Sequence, residues 1–130
     1  MRGSHALYTV IALAGLADAG RAGAQTFWRT VDHREHGTAL AIGDTHRTFA
    51  SGTYGFWQKL VVPEGSYSIR LVETDCANVR ERDIIVVRYA ADRTLSEYST
   101  DPSRWRPVLP ATLSDTAFRD ECRSVGHPAP

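Results

Sequence analysis

The strongest β-strand signal in the chain is VRERDIIVVRY, residues 79–89, where residues 84–87 are all Ile or Val. Branched side chains favour strands because they pack well on a pleated surface. Residues 90–93 then predict a turn, and residues 94–98 a return strand. This part of the sequence therefore predicts a β-hairpin.

Four segments upstream of this hairpin also have strand character, because apolar and polar side chains alternate or branched and aromatic residues cluster. The turn of residues 63–66 separates the last two of them, since Pro fixes φ and Gly tolerates positive φ. The pair Gly43-Asp44 predicts a turn that ends the second one. The four segments are residues 26–31, 38–42, 54–62 and 67–76, with a weak short strand or extended loop at 45–49.

The C-terminal third changes character after Asp101-Pro102, which breaks the sheet. An extended stretch with Trp105, Pro107 and Pro110 is expected to pack across the sheet. Thr112 is then a predicted helix N-cap, with Asp115 in the capping-box position. The helix would place four apolar side chains near one face: Leu113, Ala117, Phe118 and Cys122. The sequence thus predicts an α+β or mainly β sandwich-like domain, with antiparallel strands followed by one helix.

The two ends of the chain are predicted to lie outside this domain. Residues 1–24 read as a signal peptide, with an apolar core over 6–17 and small residues at 22–24 before cleavage at Gln25. A vector leader is the alternative interpretation of the first five residues. Residues 124–130 are predicted to be a disordered tail, which leaves one domain over 25–123. No Cys stands at the cleavage point to carry a lipid, so no stable membrane anchor is expected.

Charge balance argues against two classes of function. The chain has 15 basic and 15 acidic side chains, and the loss of two Arg and one Asp with residues 1–24 leaves 13 and 14. A nucleic-acid-binding protein usually shows a basic excess, and so does a polybasic membrane-surface protein. We therefore expect neither activity.

Cys76 and Cys122 are the two cysteines of the chain. In an oxidising compartment they are expected to form a disulfide, whose loop would contribute about 4 kcal/mol on the chain-entropy model. Two free buried thiols are the alternative. Neither Cys has a second Cys or a His at ligand spacing, which argues against zinc.

Candidate chemical groups are few. Asp32, His33, Glu35, His36 and His46 contain ligand types, but a solvated polar loop is the better interpretation of this segment. The serines lack the setting of a hydrolase nucleophile, and no glycine motif matches a phosphate or dinucleotide loop. We therefore predict no enzyme activity, no cofactor and no metal site.

The sequence also allows predictions about where its charged and aromatic side chains lie. Glu73 and Asp75 share a strand face and are expected to form a solvated rim or to pair with Arg80 or Arg82. Even numbering places Arg80, Arg82 and Arg88 on one face, and with Arg93 they could bind an acidic partner or form the polar face of a one-sided sheet. The second interpretation is favoured. Trp28, Trp57 and Trp105 are predicted to be core residues.

The chain resembles the surface-adhesin protein E-like family of small bacterial exported proteins over residues 27–123. The resemblance rests on the order and spacing of short motifs rather than on any one of them. The motifs are Trp28, Ile42-Gly43-Asp44, Phe56-Trp57, Thr74-Asp75-Cys76, Arg80 or Arg82 before a strand ending at Tyr89, Trp105-Arg106-Pro107-Val108-Leu109-Pro110, and a helix ending in Cys122.

This resemblance implies a six-stranded antiparallel sheet with a C-terminal helix, tied by a Cys76–Cys122 disulfide. For the founding member of the family it implies outer-membrane display, dimerisation and binding of host matrix or serum proteins. We therefore expect an exported, non-catalytic binding module with a host or envelope protein partner, and with a homodimer as one assembly. It would be periplasmic, outer-membrane-associated or secreted. The alternative is a structural envelope protein without a specific ligand.

Overall fold

The computed structural model describes residues 28–34 and 37–128, so the predicted signal peptide lies outside the described residues. The described chain forms one antiparallel sheet and one helix. The elements are β1 (Trp28–His33), β2 (Ala39–Thr48), β3 (Tyr54–Val61), β4 (Tyr67–Asp75), β5 (Arg80–Tyr89), β6 (Leu95–Ser99), β7 (Arg106–Pro107) and α1 (Leu113–Ser124). This architecture confirms the predicted α+β fold.

Strand order in the sheet follows the sequence from β1 to β6, and each strand pairs antiparallel with the one before it. The short strand β7 pairs with β5 at Arg80 and Glu81, beyond the part of β5 that β6 occupies. The extended stretch after residue 101 therefore returns to the sheet through backbone hydrogen bonds.

Four of the hairpins turn through the same backbone hydrogen bonds. In each, the first turn residue donates its N–H to one carbonyl and accepts another N–H at its own carbonyl. Val62, for example, donates to the Ser66 carbonyl and accepts the Gly65 N–H. The fourth turn residue has positive φ in every case. That residue is Gly37, Gly52 or Gly65 in three turns and Arg93 in the fourth.

The predicted turn at Gly43-Asp44 is wrong, because β2 continues through it to Thr48. The pairing of β2 with β3 shifts between Ile42 and His46, so the extra residues form a bulge. Gly and Asp are accepted in a bulge as well as in a turn, and the local signal therefore fits both structures.

A second bulge lies in β5. Leu71 pairs with Ile85 and Val72 with Asp83, so Ile84 is the extra residue. Because side chains alternate along a strand, this residue reverses the faces on its two sides. Arg80 and Arg82 consequently lie on the opposite face from Arg88, and the expectation from even numbering is wrong.

Helix α1 covers one side of the sheet, which we call the helix face. Leu40, Ile42 and Phe56 project from this face and bury against Ala117 of α1. Thr112 caps the helix as predicted, because its Oγ1 accepts the Asp115 N–H at 3.1 Å. Removing such a cap typically costs about 1 kcal/mol.

The disulfide joins Cys76, just after β4, to Cys122 in the last part of α1. Their Cα atoms are 5.8 Å apart, and Phe118 and Val108 pack in the same cluster. The predicted Cys76–Cys122 bridge is confirmed. Beyond it, the described part of the predicted tail includes His127, whose N–H donates to the Cys122 carbonyl.

Candidate binding surface

The side of the sheet opposite α1 carries a row of apolar side chains and is here called the open face. Trp57 is paired across the strands with Leu71, and Leu71 with Ile85. The next row places Ile69 beside Val87. Trp57, Ile69, Ile85 and Val87 are only half-buried, although Leu71 of the same face is buried. On the helix face Leu40, Ile42, Phe56 and Val72 are buried, and Leu60 and Val86 are half-buried. No helix of the described residues covers the open face.

The edge of the open face is formed by β6, whose apolar side chains are the most exposed. Leu95 pairs with Tyr89 and is 60% exposed, and Tyr98 pairs with Val87 and is 63% exposed. Large exposed apolar side chains that continue a half-buried apolar row are typical of an interaction surface. The open face is therefore the candidate binding surface.

All three tryptophans lie on the open face and none is fully buried, so the prediction of a tryptophan core is wrong. Trp28 is opposite Gly43 in β2, on the reverse side from Arg29, which pairs with Asp120 of α1. Trp105 lies under the guanidinium groups of the open-face arginines. The core is built instead from aliphatic side chains, Phe56 and Phe118.

One end of the open face is a compensated charge cluster. The Trp105 ring centroid is 4.5 Å from Arg80 Cζ and 4.7 Å from Arg82 Cζ. Arg80 also donates to Asp75 at 2.8 Å, and Arg82 donates to Glu73 at 2.9 Å. Of the two expectations for these carboxylates, pairing with Arg80 and Arg82 is confirmed, and the solvated rim is wrong because Glu73 and Asp75 are buried. This end of the surface is consequently close to neutral.

Asp75 shows the strength of this pairing. Burial alone would raise the pKa of Asp75, but hydrogen bonds from Asn78 and Arg80 outweigh burial and lower it. The carboxylate therefore stays charged and keeps Arg80 in place against the Trp105 ring.

The other end of the open face is aromatic and basic. The rings of Tyr67 and Tyr89 stack with their centroids 4.8 Å apart. Lys59 Nζ lies 4.9 Å from the Tyr67 ring centroid, which is a cation–π contact. This arrangement presents a cation beside a flat apolar platform.

The helix face contains a buried polar cluster that the sequence did not reveal. Glu121 of α1 accepts a hydrogen bond from Gln58 at 2.6 Å and one from Thr74 at 2.9 Å. Arg70 in turn donates to Gln58 at 2.9 Å. Burial raises the pKa of Glu121 to about 8, despite the opposing effect of the two hydrogen bonds, and the charge of Glu81 adds to the increase. Glu121 is thus protonated in the folded protein at neutral pH.

Glu81 continues this cluster toward β7. Arg106 donates to Glu81 at 3.3 Å and to Asp83 at 2.9 Å. Burial lowers the pKa of Arg106, but the hydrogen bonds and charges of Asp83 and Glu81 raise it overall. Within the described chain, the buried Oε2 of Glu81 has no hydrogen-bond partner. The cluster joins α1, the sheet and β7, so its evident role is to hold these elements together.

Two of the candidate ligand histidines, His33 and His46, lie on different strands. His33 ends β1 and is exposed, while His46 stacks on Phe56 at 5.6 Å between ring centroids. Glu35 and His36 lie outside the described residues. In residues 28–34 and 37–128 no group of three or more His, Cys, Asp or Glu side chains is placed to hold a metal ion. No helix in those ranges has the length and apolar character to span a membrane.

Comparisons of the chain with protein-family models, with curated proteins and with solved structures gave no match. The similarity to the surface-adhesin protein E-like family therefore stays a prediction from sequence motifs.

Proposed function

We propose that the protein is an exported, non-catalytic binding module that contacts a protein partner through its open face. The observation that carries the proposal is the row of half-buried apolar side chains on that face, bordered by exposed Leu95 and Tyr98. Trp, Tyr and Arg are the residue types that protein interfaces favour, and here they occur together on one side of the sheet.

The disulfide supports the exported part of the proposal. Bridges of this kind persist in oxidising compartments, and the predicted signal peptide of residues 1–24 provides a route there. The partner would accordingly be an envelope protein or a host matrix protein, and the compartment would be periplasm, outer membrane or medium. The adhesin-like motifs of the sequence agree with this class of partner.

A matched set of exposed residues tests the proposal. Wild-type protein, a Leu95→Ser/Tyr98→Ser variant and a Leu109→Ser variant would each be used as bait in envelope extract and on host matrix proteins. Leu109 is also 60% exposed, but it lies between β7 and α1. We expect a partner that the wild type and Leu109→Ser bind and that the β6 variant loses.

A partner bound equally by all three proteins would contradict the assignment of the open face. If neither source yields a partner that depends on Leu95 and Tyr98, the binding function fails, and a structural envelope role without a specific ligand becomes the better explanation.

A further inference from the structure

A cleft opens at the basic end of the open face, between the tips of two hairpins. Its volume is about 530 Å³. The lining residues come from β3, from the β3–β4 turn and β4, and from the β5–β6 turn: Lys59, Val61, Gly65, Tyr67, Ala91 and Arg93. The cleft is continuous with the apolar row, because Tyr67 precedes Ile69 on the same side of β4.

The two cations of this cleft have no close counter-ion in the described chain, a property that they share with exposed Arg47, Arg104 and Arg123 but that only they combine with a position in this cleft. Among the described residues, no carboxylate lies within 4 Å of Lys59 or Arg93, whereas Arg80, Arg82 and Arg88 each pair with one. Lys59 is instead held over the Tyr67 ring. The cleft therefore presents two cations that lack a described counter-ion.

Arg93 occupies a backbone position that other turns of this protein give to glycine. Its φ is +70, and the equivalent positions in three hairpins are Gly37, Gly52 and Gly65. A side chain at positive φ carries a steric cost that glycine does not have. An arginine at this position places a second cation in the cleft despite the steric cost of positive φ. This indicates a use for its side chain.

We infer that this cleft binds carboxylates of an acidic segment in the protein partner, an inference that rests on the proposed function. The carboxylates would sit between Lys59 and Arg93. The neighbouring apolar side chains of the segment would contact Tyr67 and continue along the apolar row. A polypeptide can supply both kinds of group, whereas inorganic phosphate supplies only the charge.

An anionic membrane is a poorer occupant of this surface. Recognition of anionic lipids typically uses clusters of about four to eight basic residues. The cleft has two, and the other end of the open face is neutralised by Glu73 and Asp75. The charge pattern thus favours a local acidic segment over an extended negative surface.

The test measures binding of a fluorescein-labelled peptide, ESEWESE, by fluorescence anisotropy. A second peptide, QSQWQSQ, removes the charges and keeps the length. We expect the wild type to prefer ESEWESE, with affinity that falls as salt rises. A Lys59→Gln/Arg93→Gln variant should bind ESEWESE about tenfold more weakly, since two partly exposed ion pairs are lost.

Two control variants make the result specific. Arg123→Gln removes one positive charge from an exposed position at the end of α1 and should leave binding unchanged. Lys59→Arg keeps the cation and should retain binding that Lys59→Gln loses. Equal binding of ESEWESE by the wild type and the double variant, with equal melting temperatures, would overturn the inference.

Alternative anions are measured in the same series with inorganic phosphate and with vesicles of phosphatidylcholine and phosphatidylglycerol. If either is bound through Lys59 and Arg93 more tightly than ESEWESE, the cleft recognises phosphate chemistry and the inference is wrong. The outcome also separates from the proposed function. Partner capture that needs Leu95 and Tyr98 without peptide binding defeats the cleft alone, and peptide binding through the cleft without partner capture defeats the proposed function alone.

Discussion

Glu121 lies fully buried between α1 and the sheet, where a charged carboxylate would be poorly solvated. Hydrogen bonds from Gln58 and Thr74 fix both of its oxygens, and Arg70 approaches only through Gln58. The side chain therefore works as a neutral connector between helix and sheet. Its proton is part of the folded structure.

This proton makes stability depend on pH. The pKa of Glu121 rises from an ordinary 4.5 to about 8 in the fold, so between these values the native state keeps a proton that the unfolded state has released. The contribution of Glu121 to the free energy of unfolding is full below pH 4.5 and falls as pH rises to about 8. Glu121→Gln, which keeps the shape and has no proton to lose, should flatten this decrease and stabilise the protein at neutral pH.

Urea unfolding at pH 5.5, 7 and 8.5 measures the effect. Glu97→Gln is the control, because Glu97 is half-exposed on β6 and pairs with Arg88 at the surface. It should keep the wild-type slope of stability against pH. Parallel slopes for the wild type and Glu121→Gln would contradict the role assigned to the buried proton.

The sequence alone did not predict residue-level properties such as the buried, protonated state of Glu121. Helical spacing places Glu121 on the same face as Ala117 and Phe118, but the side chains that bind its carboxyl group come from β3 and β4 and cannot be read from the helix sequence. The tryptophans were misplaced for a similar reason. Aromatic residues favour burial on average, and only the position of α1 decides which face of the sheet becomes the core.

Elements were predicted better than single side chains, because their signals are local. Alternation in residues 67–76 and the cap at Thr112 gave β4 and α1 close to their observed bounds. The bulges were missed. One extra residue, Ile84, reverses the face of every residue before it in β5. No pattern within β5 reveals which of its residues is left unpaired with β4.

The β5–β6 hairpin allows a prediction about an element as a whole. Arg93→Gly should stabilise the domain by about 1 kcal/mol, because glycine adopts the positive φ of this position without steric cost. For a domain of about 100 residues this corresponds to an increase in melting temperature of about 4–8 °C. The same substitution should weaken binding of ESEWESE.

Ala111→Gly provides the comparison for that hairpin. Ala111 also has positive φ, at +62, but it lies just before α1 and away from the cleft. It should raise the melting temperature without changing peptide binding. A loss of stability in Arg93→Gly would show that the arginine side chain supports the hairpin rather than a ligand.

At the scale of the whole molecule, the disulfide is the main covalent constraint. It links residues 46 apart in the sequence and pins the end of α1 to the end of β4. Closing a loop of this size is expected to contribute about 4 kcal/mol, and native bridges in small domains contribute about 2–5 kcal/mol. The paired cysteines were readable from the sequence, because an oxidising compartment makes pairing the default.

Cys122→Ser should therefore lower the free energy of unfolding by about 2–5 kcal/mol while leaving the strand order unchanged. Thermal unfolding with and without reductant measures this contribution. Reductant should lower the melting temperature of the wild type and leave a Cys76→Ser/Cys122→Ser variant unaffected. Equal wild-type melting temperatures under both conditions would show that the bridge adds little.

The serial order of the strands bears on how the chain matures. Every strand from β2 to β6 pairs with the strand synthesised just before it, so a chain that emerges amino terminus first can add strands to the sheet in turn. Cys122, the partner of Cys76, is synthesised only with α1, after all seven strands. Until then Cys76 is a single thiol. The reactivity of Cys76 toward a thiol-labelling reagent thus reports whether α1, the last element of a newly made molecule, has joined the sheet.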